Sequence, residues 1–95
     1  MVEDVLGCKW TLHVLGRIRA GTYRPGAIRA SLDGLTTKVL NERLRKLVRF
    51  GIVGRKAYAE VPPRVEYTRT PLGRRFVRLL DQVERLQAEL AREER

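Results

Sequence analysis

Six apolar residues near the end of the chain, Leu72, Phe76, Leu79, Val83, Leu86 and Leu90, recur at alternating intervals of four and three. A repeat that averages about 3.5 residues winds one apolar seam along an α-helix, the pattern of a coiled coil rather than of a strand. Thr70-Pro71 marks where this helix opens, with a capping hydroxyl and a proline in the first turn, where a missing N–H is tolerated. The helix is expected over 71–92, longer than a small core can cover. A second copy of the same helix, related by two-fold symmetry, is the simplest surface to meet the seam. These six residues are therefore expected at a homodimer interface.

At 95 residues the chain is expected to form one domain, 1–95, without repeats or a flexible linker. An N-terminal helical region, 1–23, carries Trp10, Val14, Leu15 and Ile18 at helical spacing and ends at Gly21. Pro25 opens a short second helix with Ile28 and Leu32 on one face, and Asp33-Gly34 reads as a turn. Thr36 or Thr37 then caps a third helix over roughly 36–50, whose Leu40, Leu44 and Leu47 make a core-facing stripe. Two short helices with a tight turn, spanning 24–50, read as a helix-turn-helix. In 51–70, strand formers flank Glu60-Val61-Pro62-Pro63, so the prolines belong at the tip of a β-hairpin. The expected fold is mainly α with this small β-hairpin: a winged helix-turn-helix with a long C-terminal dimerisation helix.

Charge narrows the function. The net charge is +9, and residues 24–78 alone hold fourteen Lys/Arg against four Asp/Glu. A basic middle between nearly neutral ends suits a polyanion-facing surface. Catalysis is not expected: one His and one Cys build no triad, no paired carboxylates sit near a glycine-rich loop, and no phosphate-binding fingerprint is present. No metal site or cofactor is expected, and Cys8 with His13 is too small a ligand set. No apolar run is long enough for a membrane span, and the acidic start does not resemble a secretory signal, so a cytoplasmic location is expected.

On the third helix, Lys38, Asn41 and Arg45 fall at i, i+3 and i+7, away from the leucines. Asn can pair two hydrogen bonds with adenine, and Arg or Lys with guanine, in a major groove. Thr37 would touch phosphate or cap the helix, and Arg43 and Arg49 are candidates for backbone contacts. Arg64, just past the wing prolines, could bind phosphate or enter the minor groove. Double-stranded DNA is thus the expected partner. A winged-helix adaptor docking an acidic protein would not need Asn between two basic residues, and single-strand binding would favour more exposed aromatics. Cys8 reads either as a small buried hydrophobe or as a redox thiol activated by Lys9. The operator, the sign of regulation and any small-molecule effector are not legible.

Four segments, GCKW at 7–10, GLTTKVLNERLRKL at 34–47, GIVGRKAY at 51–58 and VPPRVEYTRTPLG at 61–73, resemble the HxlR-type winged helix-turn-helix regulators of the broader MarR/ArsR-like group. They cover nearly the whole chain in the family's order. The resemblance implies homodimeric DNA-binding regulators with dimer contacts from the first and last helices. Two departures stand out. Cys8 occupies a position that is usually glycine, and the cysteine-bearing arm that many members carry ahead of the GKW-like motif is not expected here. Tyr23-Arg24-Pro25-Gly26-Ala27 replaces the usual R-F-x-E-L entry to the second helix.

Overall fold

The computed structural model describes residues 9–93. Cys8 lies outside the described residues. The elements run α1 (Lys9–Arg19), α2 (Pro25–Ala30), α3 (Thr37–Arg49), β1 (Val53–Tyr58), β2 (Arg64–Arg69) and α4 (Pro71–Glu93). This is the winged helix-turn-helix order that the periodicities imply.

Local chemistry sets most of the boundaries. After α1, the Thr22 N–H donates to the Arg17 carbonyl at 2.9 Å and the Gly21 N–H to the Ile18 carbonyl at 3.1 Å. Gly21 sits at φ +100°, and Gly51 repeats the motif after α3 at φ +75°. Such a cap needs a left-handed residue, which glycine adopts at little cost. At the start of α3, Thr36 is the cap: its hydroxyl accepts from the Val39 N–H at 3.2 Å. Thr37 is therefore the first helical residue. α2 stops at Ala30, so Leu32 lies in the following turn, yet it is buried and still serves the core.

The core gathers Val14, Leu15 and Ile18 of α1, Ile28 of α2, the three leucines of α3, Ile52 and Val53, and Phe76 and Val77 of α4. The hairpin is antiparallel, with Val53 opposite Arg69 and Tyr58 opposite Arg64, and residues 59–63 form its tip. The Tyr67 N–H donates to the Tyr23 carbonyl at 2.8 Å, so the segment before α2 lies along the outer edge of β2.

Thr70 docks α4 onto the end of α3. Its hydroxyl accepts from the Gly73 N–H at 2.9 Å and donates to the Gly51 carbonyl, while its own N–H donates to the Ile52 carbonyl at 3.1 Å. From Gln82 onward, every described residue of α4 is exposed.

Phe76 is the member of the heptad seam that the structure moves elsewhere. It is only 7% exposed and belongs to the chain's own core, whereas Leu72, Leu79, Val83, Leu86 and Leu90 are exposed. The first turns of α4 must cover the core before the helix leaves it. A four-three spacing alone cannot separate those two duties.

Candidate nucleic-acid interface

The third helix sorts its side chains by face. Leu40, Leu44 and Leu47 are at most 1% exposed, so the rotation of α3 about its axis is fixed by packing. Thr37, Lys38, Asn41, Arg45 and Arg49 all reach solvent. Arg45 folds back along the helix and donates from Nε to the Asn41 carbonyl at 3.4 Å, which keeps the guanidinium beside Asn41. The sequence-derived trio of Lys38, Asn41 and Arg45 thus shares one accessible side of a rigid helix.

Glu42 was missed by the sequence reading. It is exposed one turn from Lys38 and from Lys46, on the same side as Arg45. A carboxylate there can accept from the cytosine amino group and repels phosphate. Its i+4 spacing from Lys38 was the available signal. Arg43 departs from the basic face: it is half-buried, and its Nε has no hydrogen-bond partner.

Arg64 is not a free tip residue. Its guanidinium carbon lies 3.9 Å from the Tyr58 ring centroid, and Nη2 is 3.2 Å from a Glu60 carboxylate oxygen. Lys56 also stands over the Tyr58 ring, with Nζ 4.9 Å from its centroid. The wing therefore carries a compact cluster of two cations, an aromatic face and one carboxylate.

Away from these residues, α1 and α4 border an apolar cleft of about 340 Å³, lined by Leu12, Leu15, Val77, Leu80 and Val83 among others. Arg19 and Asp81 close one side through two parallel guanidinium–carboxylate hydrogen bonds, at 2.5 and 2.7 Å. The Arg19 hydrogen bond holds the Asp81 carboxyl below the usual carboxylate range, and Asp81 in turn raises Arg19. A lowered carboxyl pKa stabilises the fold above the unfolded-state value and loses that contribution as pH falls through the folded one. Thermal melts of Asp81→Asn and wild type are expected to differ at neutral pH, to begin to converge only below about pH 4, and to meet once the pH has fallen through the lowered pKa of Asp81. A pH-independent gap between the two curves would assign the pair no electrostatic role.

Among the described residues, no cluster of three or more His, Cys, Asp or Glu could hold a metal. No described helix is long and apolar enough to cross a membrane.

A model of the HxlR-like helix-turn-helix family matches residues 5–95. An uncharacterized HTH-type transcriptional regulator of Synechocystis sp. is 45% identical over 73 residues, which is 77% of this chain and 54% of that protein. YkvN of Bacillus subtilis, also an uncharacterized HTH-type transcriptional regulator, is 35% identical over 87% of this chain and 70% of its own length. The chain thus spans little more than half the length of the Synechocystis relative. A solved structure from Enterococcus faecalis V583, assigned to the MarR family of transcriptional regulators, superposes with a TM-score of 0.89 at 35% identity. That superposition covers 97% of this chain and 84% of the other.

Proposed function

The chain belongs to the HxlR-like helix-turn-helix family, and from that premise we propose that it is a sequence-specific, double-stranded DNA-binding transcriptional regulator. It acts as a cytoplasmic homodimer without catalytic activity, and residues 1–95 form one winged helix-turn-helix unit. The observation that carries this reading is the division of α3 into a buried leucine stripe and an exposed basic face with Asn41 in it. A helix held so firmly on one side can present the other at constant depth in a major groove. In a symmetric dimer, two such helices would enter successive grooves of a pseudo-palindrome with half-site centres about 34–36 Å apart.

Lys38, Asn41 and Arg45 then face base edges, with Thr37 and Arg49 at the flanks positioned for phosphate. The half-buried Arg43 supports the helix from its packed side. Leu72, Leu79, Val83, Leu86 and Leu90 meet the partner, and α1 contributes through the cleft it shares with α4. Cys8 is not required for DNA binding in this reading.

The experiment is a titration of wild type and Asn41→Ala on the operator, found by genome-wide site mapping, and on a scrambled duplex. Loss of a two-bond adenine contact should cost about 1–3 kcal/mol on the operator, relax preference at one position per half-site and leave the scrambled duplex almost unaffected. Equal losses on both duplexes would remove Asn41 from base reading. A wild type that binds no duplex at low salt would favour an adaptor role.

A further inference from the structure

Arg64 has five N–H donors, and the wing satisfies few of them. Glu60 takes Nη2 at 3.2 Å, while Nε is buried without a hydrogen-bond partner. The Tyr58 ring, 3.9 Å beneath the guanidinium, fixes its plane by a cation–π contact across the hairpin. The Glu60 N–H donates to the Tyr58 carbonyl at 2.9 Å, a tight turn that folds the tip back toward Arg64. Beside this cluster, Arg24, Pro25, Pro62 and Val65 border an open notch of about 320 Å³ that Glu60 and Arg64 also line. Two arginines thus border one open notch, and the acid that lines it with them is exposed on the hairpin tip.

We propose that Glu60 is an internal stand-in for a DNA phosphate: its carboxylate occupies Arg64 in the free protein and is displaced when a backbone phosphate enters the notch between Arg24 and Arg64. This rests on the DNA-binding reading above and goes beyond it by naming the residue that sets how much the wing contributes. A carboxylate and a backbone phosphate each offer two anionic oxygens to the same guanidinium, so they compete for it directly. The pair is half-exposed, and such pairs hold weakly, so a doubly coordinated phosphate displaces the carboxylate. Tyr58 is a positioning residue, keeping the guanidinium in place during the exchange.

The test uses the full chain on a random-sequence duplex of about 30 base pairs, because phosphate contacts are independent of sequence. Affinity is measured across a salt series for wild type, Glu60→Gln, Arg64→Ala and the double variant, with thermal melts alongside. Glu60→Gln should bind about fivefold tighter at moderate salt, and its salt slope should steepen by about one for each wing engaged. In the Arg64→Ala background the same change should alter affinity less than about twofold, since no masked cation remains to release. A gain of equal size in both backgrounds would mean general repulsion between Glu60 and DNA, and would overturn the proposal. Weaker binding by Glu60→Gln with an unchanged melt would make Glu60 a support for Arg64 and overturn it as well. A wild type that binds no duplex removes the DNA-binding reading, and the proposal with it. A wild type that binds, beside an unaltered Glu60→Gln, overturns the proposal alone.

Discussion

Gly73→Ala is expected to cost about 3 kcal/mol or more of folding stability, a large share of what a domain this size holds. A Cβ built on Gly73 would stand 1.8 Å from the Ile52 carbonyl oxygen and 2.9 Å from its carbonyl carbon. Both neighbours are backbone, so no side chain can swing aside. The same Ile52 carbonyl accepts the Thr70 N–H at 3.1 Å, so retreat of that strand end would break the bond that docks α4. Alanine gains up to about 1 kcal/mol of helix propensity over glycine, which is too little to offset the overlap. For about 3 kcal/mol the melting midpoint of a domain of this length should fall by roughly 12 °C or more. Gly26→Ala is the matched control: nothing lies within 4 Å of the added carbon, and its φ is not positive. It should leave the melt unchanged or raise it slightly. If Gly73→Ala melts like Gly26→Ala, α4 is not seated on Ile52 as described.

The architecture was legible because each boundary carries a chemical signature that acts locally. Gly21 and Gly51 end helices through left-handed caps, Thr36 and Thr70 open them, and the prolines at 62–63 cannot sit inside a ladder. The leucine stripe on α3 likewise fixed which side of that helix is available. What escaped the sequence was non-local. Gly73 reads in sequence as an ordinary early helix residue, and its constraint exists only because Ile52 arrives beside it from another element. Phe76 satisfied the heptad spacing and is nonetheless core, because periodicity reports a face and not what covers it. Arg64 is legible in sequence as a wing cation that could meet phosphate or the minor groove, but neither its stacking on Tyr58 nor its Glu60 pair can be inferred before the tip turns back. Glu42 is a single acid among the cations of α3, and its spacing alone does not separate a base contact from a solvated i, i+4 partner of Lys38 or Lys46.

Leu86→Glu is expected to convert the protein from dimer to monomer at micromolar concentration and to abolish operator binding with it. Leu86 is 56% exposed in the single chain, Leu90 51% and Leu79 52%, and together with Val83 they form one stripe along α4. Beyond Asp81 this helix has only exposed residues, and an isolated helical stretch of about twelve residues is marginal in water. Something must cover it for the helix to persist. A second α4 supplies an identical stripe, and the cleft between α1 and α4 extends the apolar surface to Leu12 and Leu15. Truncating a buried leucine costs about 2–5 kcal/mol, and two-fold symmetry applies the change twice. Even the low end, about 4 kcal/mol in all, weakens association roughly a thousandfold, and a buried carboxylate adds to that. Sedimentation equilibrium reads the mass, and circular dichroism should show helix lost from the outer part of α4 alone. Leu86 and Leu90 are not part of the hydrophobic core, so the remainder should still melt cooperatively. In the proposed dimer, monomers would then bind one half-site each and forfeit the coupling between two recognition helices. A Leu86→Glu protein that remains dimeric would place the interface elsewhere, and a wild type that is monomeric at about 10 μM would leave the heptad seam without a partner.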